Sequence, residues 1–544
     1  MKAFAALLDR LSYEPRRNGK IALLARYFIQ TPDPERGMAL AAITGELNFT
    51  NAKPALIRAL VAERTDPVLF DLSYDYVGDL SETVALIWPV QHGINMPPPS
   101  LADVVETLAT TGKAELPALL ARWLDSLDET GRWALLKLIT GGLRIGVSSR
   151  LAKTAVAALG DLKPDNIEEV WHGLKPPYAA LFAWALGQGE RPQNDDPAPF
   201  SPAMLAHPIG ENDFQALDPS QFQAEWKWDG IRVQAASGGR DGSQVRRLYS
   251  RTGDDISKAF PDLVDALPDD ATLDGELLVL IDGQVQSFNT LQKRLNRKTV
   301  SAKLLASHPA HMRVYDVLRH KGEDLRTLPF IERRARLAQL VAEHKHPRID
   351  LSAMVAFEDW PMLKDARADP ASHGAGTDAE AVEGVMIKRA DSFYVPGRPK
   401  GPWWKWKRDP MLIDAVLMYA QRGHGKRSSL YSDYTFGVWT EGESKEGALV
   451  PVGKAYFGFT DEELKQIDSF VRKNTINRFG PVREVTHTRT VGLVLEVAFE
   501  GLGRSTRHKS GVAMRFPRIS RLRWDKPPGE ADTLETVEAL LPDG

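Results

Sequence analysis

At 544 residues the chain is too long for one compact core, and ordinary domain sizes predict roughly three or four domains. With 43% apolar and 26% charged residues it reads as globular, and the absence of cysteine excludes disulfides and cysteine-ligated zinc, which fits a reducing compartment. A net charge of -3 excludes a whole-chain attraction to polyanions, so any basic surface must be local, as at Lys405 to Arg408 and Arg504 to Lys509.

Asp9 and Arg10 interrupt the N-terminal apolar stretch before a signal core can build. No apolar run reaches the length of a membrane span, so the expectation is a cytoplasmic protein with no membrane partner. Phe4, Leu7, Leu8 and Leu11 share one helical face, and Leu151, Ala155 and Leu159 repeat that spacing between Ser148, an N-cap, and Gly160. These patterns predict an all-α domain over residues 1–187. The Pro-, Asn- and Asp-rich stretch 188–202 has no apolar period and reads as a linker.

Residues 203–408 mix strand-like runs (Thr272 to Ile281, Met312 to Leu318) with helical ones (Ile331 to Glu343), which predicts an α/β domain. Over 409–544 β-like runs dominate. Val491, Leu493, Leu495, Val497 and Phe499 alternate with Gly492, Val494, Glu496, Ala498 and Glu500 as a half-buried strand would. A single helix opens on a Thr460 to Glu463 capping box and should bury Leu464, Ile467, Phe470 and Val471. Several strands plus one helix predict a small OB-type barrel. No repeat of 20 to 50 residues is visible.

The sharpest chemical signal is the run Glu225 to Arg232 (EWKWDGIR), in which Lys227 could act as a nucleophile if it were deprotonated and aimed at phosphorus. An exposed hairpin with a Lys-Asp pair is the ordinary alternative. Downstream, Asp274-Gly275-Glu276 at the start of an apolar run offers a carboxylate for a ribose or metal, although a turn would look the same. Tyr315-Asp316 offers a ring for stacking, or a core tyrosine.

Strict alternation through Glu383 to Lys388 puts Glu383, Val385 and Ile387 on one face and Gly384, Met386 and Lys388 on the other, offering a metal carboxylate and a phosphate-binding amine. Lys405 and Lys407 share a face opposite Trp404 and Trp406, so both ammonium groups can meet one phosphate. Arg515 and Arg518, separated by a stiff Phe-Pro step, suit a polyphosphate or a basic loop. Gly423 to Ser428 (GHGKRS) has neither the spacing nor the hydroxyl residue of a phosphate-binding P-loop.

Taken in order, Lys-x-Asp-Gly-x-Arg, Asp-Gly-Glu, aromatic-Asp, Glu-Gly-x-x-x-Lys, Trp-x-Lys-x-Lys and Arg-Phe-Pro-Arg resemble the covalent nucleotidyltransferases, specifically the ATP-dependent DNA ligases. The resemblance extends to Met204 to Pro208, at the entry to the catalytic domain, and to Leu138 to Gly146, a signature of the helical DNA-binding domain. Ser432 to Gly437 and Val452 to Glu463 resemble the ligase OB domain.

The resemblance implies that Lys227 becomes adenylylated, that Glu225 contacts the adenine amino group and Tyr315 stacks on the base, and that Arg232 and Arg251 meet sugar or phosphate. Tyr315 stands where phenylalanine is common in the family. The resemblance further implies Glu276 as a ribose or metal contact, Glu383 as a metal contact, Lys388 within the nucleotide site, Lys405 and Lys407 on the α-phosphate, and Arg515 and Arg518 on departing pyrophosphate. ATP would supply AMP, with Mg²⁺, or Mn²⁺ in its place, as the divalent ion. The implied partner is nicked double-stranded DNA, bound by a monomer of nucleoid-associated location in a bacterium, with repair nucleases or helicases as further partners. NAD-dependent ligases carry a four-cysteine zinc site that this chain cannot build; RNA ligases and capping enzymes remain the same-class alternative.

Overall fold

The computed structural model describes residues 1–541 apart from 78, 90–96, 241, 296, 298, 423–429, 441–446 and 507. The rejected P-loop run at Gly423 to Ser428 therefore lies outside the described residues. Two compact units appear, Met1–Lys407 and Arg408–Gly544.

The first unit begins with helices only, from Lys2–Tyr13 to Ala179–Ala185. Helix Lys2–Tyr13 buries Phe4, Leu7, Leu8 and Leu11, the face its spacing predicts. Ser148 caps helix Ser149–Ala157 by accepting from the Leu151 amide at 3.2 Å. One continuous core joins these helices. Beside it lies a groove of about 690 Å³, lined by Arg17, Lys20, Arg144 and Ser148 among others.

Residues 188–202 form no helix or strand, as their composition predicts, yet they are not loose. Asp196 pairs with Arg247, the Tyr249 hydroxyl donates to the Ala198 carbonyl at 2.8 Å, and Phe200 packs between Tyr249 and His172. Burial lowers His172 to about 4, so it sits in this contact as a neutral ring. Ala198 and Phe200, two apolar side chains in a polar segment, are buried against Ala236 and Tyr249.

Two sheets follow. One orders His207–Pro208, Trp403–Lys407, Val382–Arg389, Phe222–Trp228 and Met354–Val355; the other runs Ser243–Ser250, Ile231–Arg240, Ala271–Ile281, Ala310–His320 and Glu323–Asp324. Each sheet has its own apolar core, the second built partly by Leu337 and Leu340 of helix Phe330–His344. That helix is tied to its sheet by a fully buried ion pair, Arg333 Nε to Asp316 Oδ1 at 2.8 Å, with Arg333 also donating to the carbonyls of Leu328 and Ser392.

In the second unit the long strand Met411–Arg422 pairs along one edge with Tyr431–Thr440 and along the other with Val482–Val485 and Val494–Phe499, bending the sheet around one core as an OB-type barrel requires. Helix Asp461–Asn474 carries the predicted capping box and buries Leu464, Ile467 and Val471, with Phe470 partly buried. The alternation expected from Val491 to Glu500 holds only in part. Val491 is exposed and outside the strand, and Val494 is fully buried because Trp439 and Ala531 cover the face expected to be open. The tail is fastened there by the Trp439 indole, which donates to the Pro528 carbonyl at 2.7 Å.

Removing Arg333 would leave the buried Asp316 carboxylate without its cation, with only the Val317 amide still donating to it. Arg333→Met should therefore destabilise the first unit by about 3–5 kcal/mol. Urea unfolding followed by tryptophan fluorescence checks this, and a loss under about 1 kcal/mol would show the pair to be dispensable.

Candidate active site

Lys227 lies on strand Phe222–Trp228, where Ala224, Trp226 and Trp228 point into the apolar core and Glu225 and Lys227 point the other way. The neighbouring strands repeat this division. Lys227 stands opposite Gly384, which stands opposite Lys407; Glu225, Met386 and Lys405 form the next rung. Lys405 and Lys407 thus share the Lys227 face, with Trp404 and Trp406 behind, as alternation predicts.

Glu383 departs from the expected face. Strict alternation groups it with Val385 and Ile387, but the strand is bulged between Val382 and Gly384, so Val382 and Val385 both enter the core and Glu383 turns to accept a hydrogen bond from Lys227 Nζ. Gly384 makes this possible: its φ is 141°, and a Cβ there would collide with the Trp406 carbonyl. Lys407 Nζ lies 4.0 Å from the same Glu383 oxygen.

The second sheet supplies the facing wall. Asp274-Gly275-Glu276 is not at a strand start or in a turn; it lies inside strand Ala271–Ile281, hydrogen-bonded on both edges. Asp274 is 1% exposed and receives Arg232 Nη2 and the Tyr394 hydroxyl, each at 2.6 Å, and Gln234 at 3.0 Å. Arg232 also donates to the Met204 carbonyl at 2.5 Å, which fastens the entry segment. Burial pushes Glu276 up to about 8; nearby Lys227 opposes the rise and Glu383 adds to it.

At one end of the site Glu225 is buried, with Oε2 2.8 Å from Lys388 Nζ and Oε1 3.5 Å from Arg334 Nη1. Lys388 does not offer its amine to a phosphate as its spacing suggested. It is 1% exposed, and its ammonium lies 4.5 to 4.7 Å from the ring centres of Tyr315, Phe330 and Trp403. Tyr315 itself is half-buried, beside Lys388.

At the other end cations accumulate. Lys405 is lowered by burial and then by Lys407, Arg398, Lys227 and Arg251, and Arg251 is lowered by burial and then by Arg232 and Arg398. Arg515 and Arg518 belong to the second unit, flanking Phe516 at φ 51°; Arg515 lies 5.5 Å from the Phe516 ring and Arg518 is 3.9 Å from Glu500. Spacing did not single out Arg334, Tyr394 or Arg398 as site residues, and it named Asp274 only within the Asp-Gly-Glu motif. Arg398 had a faint signal in its Pro-Gly turn just before the tryptophan-lysine run; Arg334 had none, because it reads as one charge among many on an amphipathic helix.

The residues fit the groups their chemistry implies. Buried Glu225 Oε1 has no hydrogen-bond partner and so keeps acceptor capacity for a base amine, and the clustered cations suit a polyphosphate. Among the described residues no three acidic or histidine side chains are arranged to hold a metal. Glu276 and Glu383 are nevertheless hard oxygen donors, and Mg²⁺ is commonly held by one or two carboxylates together with phosphate.

A lysine strand facing carboxylates across two sheets, with a β-barrel unit following, defines a nucleotidyltransferase. Residues 203–407 match the family described as "ATP dependent DNA ligase domain", and residues 427–526 match "ATP dependent DNA ligase C terminal region". A "Probable DNA ligase" of Koribacter versatilis is 31% identical over 99% of this chain and 96% of its own length. "DNA ligase 1" of Korarchaeum cryptofilum is 28% identical over 99% and 98%. The solved structure Pmar-Lig_PreS3 shares the fold, with a TM-score of 0.55 and 17% identity over 96% of this chain and 99% of that one. The chain belongs to the ATP-dependent DNA ligase family: it is an enzyme that joins DNA with ATP as the adenylyl donor. No described helix is long and apolar enough to cross a membrane.

Glu276 provides a test in solution. The folded chain keeps its proton to about pH 8, whereas the ordinary carboxyl releases it near 4.5, so this group's contribution to stability is greatest below 4.5 and falls as pH rises through 8. The loss across that window is of the order of 4 kcal/mol at most. In metal-free Glu276→Gln the stability–pH curve between pH 5 and 8.5 should be flatter, measured by urea unfolding; equal slopes in parent and variant would refute the assignment.

Proposed function

We propose that Lys227 is the residue that carries AMP, and that the chain seals nicks in double-stranded DNA in three phosphoryl transfers. The single observation that carries this reading is the placement of Lys227 on a face with an acid acceptor lacking a hydrogen-bond partner at one end and clustered cations at the other, paired to Glu383 and with Glu276 nearby. Paired to Glu383 as an ammonium, Lys227 is not a nucleophile; attack requires that pair to part and the amine to lose its proton.

The Lys227 amine then attacks the α-phosphorus of ATP, forming a P–N bond as the bond to pyrophosphate breaks. A 5′-phosphate oxygen at the nick next takes the AMP, releasing the lysine, and the adjacent 3′-hydroxyl displaces AMP to form the phosphodiester. Glu225 receives the adenine amino group and Tyr315 stacks on the base, while Arg232, Arg251, Lys405 and Lys407 bind sugar and phosphate. Glu276 and Glu383 would hold Mg²⁺, or Mn²⁺ in its place, which when bound supplies a positive charge against phosphate oxygens. Lys388 supports the base end through Glu225. Residues 1–187 act as the DNA-binding domain, 188–202 as the connector, 203–408 as the adenylylation domain and 409–544 as the OB domain. Arg144, 76% exposed on the groove that also holds Arg17 and Lys20, supports phosphate contact by the helical domain. The enzyme works as a cytoplasmic monomer in DNA repair or replication, alongside nucleases or helicases.

With ATP and Mg²⁺, intact-mass analysis should find one added AMP, and Lys227→Ala should abolish it. An adduct that persists in the variant places the nucleophile elsewhere.

Arg515 and Arg518 assist pyrophosphate departure, a charge that develops in the first step alone. Replacing both with Ala should slow adduct formation by about a hundredfold or more, while sealing of a pre-adenylylated nick suffers far less. Single-turnover rates of the two reactions compare them; equal losses would assign these arginines to DNA or to folding.

A further inference from the structure

At the base end of the site three charges come together from separate elements. Glu225 is on strand Phe222–Trp228, Lys388 on strand Val382–Arg389 and Arg334 on helix Phe330–His344. Strand register brings the first two together: Met386 is paired with Glu225, so Lys388, two residues on, is its diagonal neighbour on the same face. Arg334 is itself fixed by its Nη2, which donates to the Ser352 carbonyl. The Arg333–Asp316 pair holds its helix in place.

Each oxygen of one buried carboxylate therefore has its own cation, Lys388 on Oε2 and Arg334 on Oε1. A carboxylate that is 1% exposed is stable as an anion only with such partners. The anion has only acceptors, whereas the neutral acid also carries a donor. That difference separates purines. Adenine presents a 6-amino donor, while a 6-oxopurine presents an acceptor at the same position and would set oxygen against oxygen. Oε1, without a hydrogen-bond partner of its own, is the atom left to make the distinction.

We propose that Arg334 and Lys388 are the positioning residues for purine selection: they hold Glu225 as a fixed, acceptor-only anion, and this makes the pocket accept a 6-aminopurine nucleotide and refuse a 6-oxopurine one. The inference rests on the reading that Glu225 meets the adenine amino group, and adds what makes Glu225 selective. Neither cation touches the reacting phosphate; both act through Glu225.

The test is single-turnover nucleotidylation of Lys227 in the full chain, with ATP, ITP and the triphosphate of unsubstituted purine riboside as probes. Arg334→Gln keeps a donor for the Ser352 carbonyl and removes the charge; Lys388→Met removes the other cation; Arg334→Lys restores charge. The ATP-to-ITP ratio of kcat/KM should fall about ten- to a hundredfold in Arg334→Gln and in Lys388→Met, the range expected when a buried hydrogen bond loses its charge assistance. The change should lie mainly in KM for ATP, and Arg334→Lys should recover most of the ratio. Purine riboside triphosphate, which offers neither donor nor acceptor at the 6-position, should respond least.

Equal losses for all three nucleotides would mean that these cations only support folding, and would overturn the proposal. If Lys388→Met does not fold, Arg334→Gln with its Arg334→Lys rescue decides the matter alone. Absence of any ATP adduct on the parent chain would instead refute the underlying reading of Lys227, whereas a normal parent adduct with an unmoved ratio refutes only the clamp.

Discussion

The site depends on charges of both signs being held between two sheets where water is scarce, and each must meet its partner from a fixed backbone position. The pairing of Lys227 with Glu383 shows the constraint most clearly. On a regular strand Glu383 would enter the apolar core with Val385. The bulge at Gly384 turns it toward the lysine, and the lack of a side chain at Gly384 lets the Trp406 backbone come close enough to keep the sheet closed. The carboxylate and the tight packing of three strands thus come from the same local irregularity.

Around that pair the charges divide by how completely they are matched. Glu225 with Lys388 and Arg334, Asp316 with Arg333, and Asp274 with Arg232 are closed sets, each deeply buried and each linking different elements. They fix geometry, and within the Glu225 set Oε1, Arg334 Nη1 and Lys388 Nζ have no hydrogen-bond partner of their own. At the opposite end Arg251, Arg398, Lys405 and Lys407 crowd together, and burial with these neighbouring charges lowers Arg251 and Lys405. A chain of net charge -3 thereby presents a local concentration of positive charge of the kind that suits a polyphosphate.

The same economy of contacts appears outside the site. A segment that composition marks as a connector is seated by Phe200, Ala198 and Asp196 on strand Ser243–Ser250, and the C-terminal tail closes over Val494 through Trp439 and Ala531. Neither contact has periodicity, because each relies on two or three side chains reaching distant partners.

What the sequence determined by itself was everything with a local cause. Helical faces such as Phe4 to Leu11 and the Thr460 capping box are set by neighbours within a turn. The order of the motifs pointed to the ligase family, and alternation placed Lys405 and Lys407 on one face with tryptophans behind. Tertiary structure alone decided where local rules are broken or where partners are far apart. It moved Glu383 to the lysine by a bulge, put Asp274 to Glu276 in the middle of a strand, closed Lys388 behind three rings, and brought Arg334 from a helix more than a hundred residues away to Glu225. A period of two or 3.6 residues records which face a side chain takes, but not which distant charge will be buried against it, because that follows from strand pairing and packing between elements the pattern treats as independent.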